Sequence, residues 1–284
     1  MQNNTEKKFN RLKRIITSAR KAVVAFSGGV DSTFLLAVCV DRLKDQVLAV
    51  TVNSEFLPQN ELGRARELAR RLGASHLVVD SKDLEVDGLA ANPPDRCYLC
   101  KKERFLKIVR IAGKNTLNCV FDGSNTDDTK DFRPGLKAVR ELGIRSPLIE
   151  AKLNKAEIRC LSKALNLTTW DQPSASCLAT RIPYGTQITP RALKQIDSAE
   201  TFLRQQGMRV FRVRHHGNIA RLELGESEMR HLFENDLYHR VVRRLKTAGY
   251  QYVTLDLEGY RSGSMNDILP EPVRKKANIE DGFI

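Results

Sequence analysis

Apolar positions along the chain switch between two periods. Residues 21–26 form a short β-branched apolar run that predicts a buried strand, and over residues 33–43 the apolar side chains Phe34, Leu35, Val38 and Leu43 recur at helical spacing. The alternation continues with a strand over 47–53, a helix over 58–72 closed by Gly73, and a strand over 75–80. The prolines of Asn92-Pro93-Pro94-Asp95 forbid helix, and Asp95 then reads as the N-cap of a helix running to about residue 112. Residues 117–122 and 144–149 predict a fourth and a fifth strand, and 155–165 another helix. Such alternation makes a parallel sheet with right-handed crossovers and puts ligands beyond the carboxyl ends of the strands.

The pattern then lapses. Residues 166–189, with Trp170, Pro173, Cys177, Arg181, Pro183 and Gly185, predict a long irregular stretch, and a loop of that length in a compact protein is a functional segment or a linker. Beyond it come a helix over 190–205, strands over 210–215 and 219–224 about a Gly217-Asn218 turn, a helix over 228–247 and a strand over 252–257. The fold class is therefore α/β, a parallel-sheet domain over 1–185 followed by a smaller α+β domain over 186–284. No repeat or low-complexity segment interrupts it, and the tail after Leu269 is expected to pack poorly.

Composition narrows the setting. Of the 284 residues, 41% are hydrophobic and 29% charged, enough apolar material for a real core. No stretch approaches the ~18 apolar residues of a membrane span, and residues 1–20 lack an apolar signal core, so the expected location is the cytoplasm and no membrane partner is expected. The formal charge of +13 points to anionic partners, nucleic acid or small phosphorylated molecules, without choosing between them. Six cysteines in such a protein read as reduced thiols, core fillers or metal ligands.

The strongest chemical signal is Ser27-Gly28-Gly29-Val30-Asp31-Ser32-Thr33, set between the first strand and the first helix of the alternation. Two glycines let backbone amides crowd round an anion, and the helix that follows turns its partly positive end toward the same place. The Walker pattern is absent, since no Gly-Lys-Ser/Thr stands at the required spacing. The stretch resembles the pyrophosphate (PP) loop of the ATP pyrophosphatases, whose adenine nucleotide α-hydrolase-like domain cleaves ATP between its α- and β-phosphates. On that resemblance Ser27, Gly28, Gly29, Asp31, Ser32 and Thr33 bind ATP. Asp31 is the expected magnesium ligand, because a hard cation wants carboxylate and phosphate oxygens together. Polar clusters at two further strand ends, with Asn53 and Ser54 in one and Asn125 in the other, would face the nucleotide; Asp127 and Asp128 beside the latter face it or cap the following turn.

Cys97 and Cys100 sit at the start of a predicted helix, where a spacing of three puts both thiols on one face and the helix terminus favours thiolates. The pair suits a redox centre, a zinc half-site or part of an iron–sulfur site. Cys177 lies in the irregular stretch, an odd place for a core filler, whereas Cys39, Cys119 and Cys160 read as small hydrophobes. Three thiolates are one short of a closed zinc site, and no histidine stands at ligand spacing near them. They suffice for a [4Fe–4S] cluster with one open iron.

Taken together, residues 27–33, the run Asp131-Phe132-Arg133-Pro134-Gly135-Leu136-Lys137-Ala138, the Ser176-Cys177 loop ending Arg181-Ile182-Pro183-Tyr184-Gly185, the strand Arg212-Val213-Arg214, and residues 252–257 followed by Arg261-Ser262-Gly263 resemble the LarE family over nearly the whole chain. The family comprises ATP-dependent sulfur transferases of nickel-pincer nucleotide synthesis. The resemblance implies a small pyridinium nucleotide as substrate, pyridinium-3,5-biscarboxylic acid mononucleotide, whose carboxylates become thiocarboxylates. In the single-cysteine form of that family the loop cysteine gives up its own sulfur. Cys97 and Cys100 make this chain similar instead to the three-cysteine form, in which Cys97, Cys100 and Cys177 hold a [4Fe–4S] cluster and sulfide or another sulfur donor replenishes it. Substrate binding then falls to Arg181, Arg212, Arg214 and Arg261, whose guanidinium forks suit phosphate and carboxylate. Glu200 matches a position near the chemistry, and Lys101 neutralises charge on the reacting phosphates or is simply solvated. A trimer-based homo-oligomer is also implied. The competing readings are a tRNA thiolation enzyme, which the charge permits but for which no RNA-binding module is recognisable, and an ammonia-dependent ligase, which needs no three-thiol site. A nucleotide sensor would share the sheet and leave the three cysteines unexplained.

Overall fold

The computed structural model describes residues 2–270 apart from 118, 131, 132, 174, 175, 262 and 268. Asp131 and Phe132, Ser174 and Ala175, Ser262 and residues 271–284 of the tail thus lie outside the described residues. Four parallel strands, β1 (Ala22–Ala25), β2 (Val47–Asn53), β3 (Ser75–Asp80) and β4 (Cys119–Phe121), form a sheet in the order β3-β2-β1-β4. The chain steps outward from β1 to β3 and then returns to the other side of β1 for β4. The carboxyl ends of β1 and β4 therefore feed connections in opposite directions, and a crevice opens between them.

Helices cover both faces of the sheet, which is why β1 is an unbroken apolar run. On one face α1 (Gln2–Ala19), α2 (Val30–Leu43), α3 (Gln59–Arg71), the short α6 (Pro147–Glu150) and α7 (Lys155–Ala164) pack on alternate strand residues such as Val24 and Ala49, around a fully buried Phe34. On the other, α4 (Arg96–Lys114) and α5 (Gly135–Glu141) cover Val23, Val50 and Val120. The second unit begins with α8 (Pro190–Gln205) and continues through β5 (Phe211–His216), β6 (Ile219–Leu224), α9 (Glu226–Leu232), α10 (Leu237–Thr247) and β7 (Tyr252–Leu255). Its sheet has the order β5-β6-β7, antiparallel across the Gly217-Asn218 turn and parallel between β6 and β7. Helix α8 straddles two apolar clusters: Ala192, Leu193 and Ile196 pack with the irregular segment, Ala199 and Leu203 with the small sheet.

Four sequence expectations need correcting. The fifth strand reduces to a single bridge from Arg145 to Phe121, because Pro147 starts α6 there. The helix expected over 228–247 is two helices, broken where Asn235 and Asp236 adopt left-handed φ of 49° and 56°. Asp95 precedes α4 but makes no side-chain cap bond. Cys39 and Cys119 pack in or against the core as expected, whereas Cys160 is exposed on α7. Among the described residues no helix is long and apolar enough to cross a membrane.

Candidate active site

The loop between β1 and α2 is shaped by its glycines. Gly28 has φ +74°, and a Cβ there would stand 3.3 Å from Cα of Ala65 on α3, so both its backbone and its space demand glycine. The loop closes on itself: Thr33 N donates to Gly29 O at 2.9 Å, and the Ser27 and Ser32 hydroxyls meet at 3.1 Å. Ser27, Gly29, Asp31 and Ser32 line a cleft of about 700 Å³ at the crevice between β1 and β4, with the N-terminus of α2 opening on it. Thr33 lies buried behind the loop, its hydroxyl without a hydrogen-bond partner among the described residues.

Asp31 carries the feature that a cation would satisfy. Its Oδ2 accepts from Nζ of Lys155, while Oδ1 is buried with no hydrogen-bond partner among the described residues. Burial pushes its pKa up, and the Lys155 ammonium draws it only part of the way back. A carboxylate oxygen so placed beside a phosphate cradle suits magnesium.

The other strand end supplies the opposite wall. Asp122, Ser124 and Asn125 follow β4 and line the cleft. Asp127 and Asp128 line the cleft; Asp127 Oδ2 accepts from Lys155 N of α7 at 2.9 Å and Asp128 Oδ2 from Asn125 N at 3.0 Å, and neither bond caps the turn that follows. Asn53 lies apart, donating to Asp80 Oδ1 at 2.7 Å on the exposed side. Ser54 is buried and meets the cleft indirectly, its hydroxyl accepting at 2.6 Å from Arg104, whose side chain does line it.

Helix α4 brings Cys97 and Lys101 to the cleft, and the irregular segment brings Cys177. Leu178 N donates to Phe56 O at 2.9 Å, which ties that segment to the end of β2. Cys100 turns to Asp83, with Sγ 3.7 Å from Oδ2, and packs with Cys177 against the apolar cluster around Phe56 and Leu178. Asp83 also receives Arg104 Nε at 3.0 Å. Burial raises the Cys97 thiol, and the charge of Cys177 raises it further; burial likewise raises Cys100. The helix terminus was expected to favour thiolates at this pair, and desolvation outweighs it. Among the described residues no group of three or more His, Cys, Asp or Glu side chains is close enough to hold a metal ion. Thiolates are the donors that iron–sulfur ligation uses, and Cys97, Cys100 and Cys177 are donors of that type.

The expected substrate arginines fall in three places. Arg181 and Glu200 form a buried pair behind the Cys177 loop, and Arg181 Nη1 donates to the carbonyls of Ser176 and Cys177 at 2.9 and 3.0 Å. Arg212 and Arg214 share the face of β5 turned from its helices. Arg212 lies over the Tyr260 ring at 5.0 Å, and burial together with the Arg181 charge lowers its pKa. Arg214 donates to Thr180 O at 2.8 Å and Glu223 at 2.7 Å, leaving a buried Nε with no hydrogen-bond partner among the described residues. Arg261 is apart, exposed and paired with Glu258 and Asp267.

Sequence reasoning passed over Lys155, Arg104 and the part Asp122 plays. Lys155 had a legible signal: a cation in the first turn of a helix opposes the dipole, so its ammonium needs an acceptor elsewhere.

The NAD synthase family model matches residues 5–88, from α1 past the glycine loop to the segment after β3. An uncharacterized protein of Synechocystis sp. is 38% identical over 264 residues, 93% of this chain and 98% of its own. A glutamine-hydrolyzing GMP synthase of Helicobacter acinonychis is 34% identical over 115 residues, 40% of this chain and 22% of its own. The Lactiplantibacillus plantarum protein named pyridinium-3,5-bisthiocarboxylic acid mononucleotide synthase is 42% identical over 252 residues, 88% of this chain and 90% of its own. At that identity and coverage the chain belongs to the family of this synthase, on an α/β fold with a glycine loop of the pyrophosphatase type.

Proposed function

We propose that the protein activates a carboxylate of pyridinium-3,5-biscarboxylic acid mononucleotide with ATP and converts it to a thiocarboxylate. The observation that carries this reading is that Cys97, Lys101 and Cys177 open on the same cleft as Ser27, Gly29, Asp31 and Ser32. A carboxylate oxygen is a poor leaving group, so it first attacks the α-phosphorus, the bond to the β-phosphate breaks and pyrophosphate departs. Residues 27–33 hold the departing pyrophosphate, with Asp31 as the magnesium ligand and Lys155, freed from Asp31, moving to the phosphates. Lys101 offsets charge growing on the reacting phosphoryl group, and Asn125 faces the nucleoside. Sulfur then attacks the acyl carbon and AMP leaves.

Arg212 and Arg214 bind the substrate's anionic groups, and Arg181 and Glu200 serve by fixing the Cys177 loop. Cys97, Cys100 and Cys177 are the residues that would hold a [4Fe–4S] cluster, which would supply sulfur-transfer chemistry at the cleft when bound. Sulfide or another donor then has to restore the sulfur. Residues 186–284 act as the substrate-binding and oligomerisation domain of a trimer-based, cytoplasmic assembly, to be checked by light scattering.

The test is direct. Protein purified without oxygen and given magnesium, ATP and the biscarboxylic mononucleotide should release pyrophosphate and AMP in step with thiocarboxylate seen by mass spectrometry. Pyrophosphate release that ignores the pyridinium substrate would refute the assignment.

A further inference from the structure

Helix α5 begins with Gly135, hard against α4. A Cβ built there stands 2.6 Å from Cδ of Lys101 and 3.3 Å from the carbonyl oxygen of Cys97. The nearer obstacle belongs to a flexible side chain, so a methyl group at this position displaces the lysine before it displaces a helix. Past Gly135 the Lys101 stem enters the cleft, where Nζ comes within 3.6 Å of Asp122 Oδ2 and 5.7 Å of the Phe105 ring centre. Asp122 is itself held still. Its buried carboxylate accepts from the hydroxyls of Ser124 and Ser146, each at 2.5 Å, and from Ser124 N at 3.3 Å.

We infer that Gly135 and Asp122 are positioning residues for Lys101, the glycine leaving the corridor that its stem occupies and the aspartate holding its ammonium at the cleft wall. This inference rests on the proposed role of Lys101 at the reacting phosphates. It gives a reason for the glycine in the Arg133-Pro134-Gly135 run, which lines the same cleft as Lys101. A glycine at a helix contact has a simpler use, close approach of two backbones, and the Cys97 carbonyl is near enough for that. Only one of the two explanations passes through the lysine.

Four proteins separate them: wild type, Gly135→Ala, Lys101→Ala and the double variant, each followed by substrate-dependent pyrophosphate release and by the urea midpoint. Gly135→Ala should lower the turnover rate by on the order of 10²-fold, as misplacement by about an ångström does, with KM for ATP little changed. Added to Lys101→Ala, it should change neither rate nor midpoint further, because the stem it would strike is gone. Losses that multiply, or a double variant as destabilised as Gly135→Ala alone, would overturn the inference. If Gly135→Ala does not fold, folding of the double variant supports the inference and its failure refutes it. Should the wild type release no pyrophosphate, the functional reading fails while the midpoints still decide the part played by Gly135.

Discussion

Arg181 and Glu200 meet in a two-pronged pair, Nε to Oε1 at 2.8 Å and Nη2 to Oε2 at 2.9 Å, with both side chains all but sealed from water. The remaining nitrogen holds the backbone of Ser176 and Cys177, and Glu200 Oε1 accepts from Val213 N of β5 at 3.2 Å. One carboxylate thus joins the cysteine loop to the strand of Arg212 and Arg214.

Glu200→Ala should therefore destabilise the fold by about 3–5 kcal/mol, the cost of stranding a buried guanidinium, measured by urea unfolding. Burial alone would raise the Glu200 pKa, but Arg181 and Arg212 bring it below the ordinary 4.5. A lowered carboxylate pKa stabilises the fold above the unfolded value and loses that contribution as the acid form fills. Wild-type stability should fall as pH drops below about 4.5, and Glu200→Gln should flatten that part of the profile.

Asp31→Asn should separate folding from chemistry. Burial makes its ionised form costly, so the amide should leave the unfolding free energy from urea titration within about 0.5 kcal/mol of wild type or raise it. Loss of a metal ligand should lower pyrophosphate release by roughly 10³-fold. Near-normal release from this variant would remove Asp31 from the proposed magnesium site.

Cys177→Ser should still release pyrophosphate with substrate present but form no thiocarboxylate. Anaerobic wild-type protein should carry iron and acid-labile sulfide, and Cys97→Ser should lose both. Wild-type protein without iron would exclude the cluster, and sustained product formation by Cys177→Ser would exclude the cysteine as sulfur carrier.

Arg212→Ala should raise KM for the pyridinium substrate by about 10- to 100-fold, the worth of a charge-assisted hydrogen bond, and leave ATP affinity unchanged. Equal weakening of both ligands, measured by calorimetry, would move Arg212 out of the substrate site.

Much of this architecture is legible one residue at a time. Strands β2 and β3 and helix α8 begin and end where the apolar period and Pro190 put them. Helix α1 escaped because its apolar stripe, Phe9, Leu12 and Ile16, is thin among charged neighbours and acquires meaning only against α2. The break between α9 and α10 did leave a mark in Asn235-Asp236, the residue types that tolerate left-handed backbone. At the site, the glycine loop depends on local geometry and can be read directly. The pairings of Arg181 with Glu200, Lys155 with Asp31 and Arg104 with Ser54 join residues 19, 124 and 50 positions apart, and no periodicity encodes them.

The helix that opens the second unit has a mechanical consequence. With its first half packed beside the cysteine segment and its second half beneath the small sheet, it acts as a splint across the junction where the two sheets would otherwise swing apart. Clamshell opening would snap the splint. The strand of Arg212 and Arg214 and the Cys177 loop are thereby tied to opposite halves of one helix.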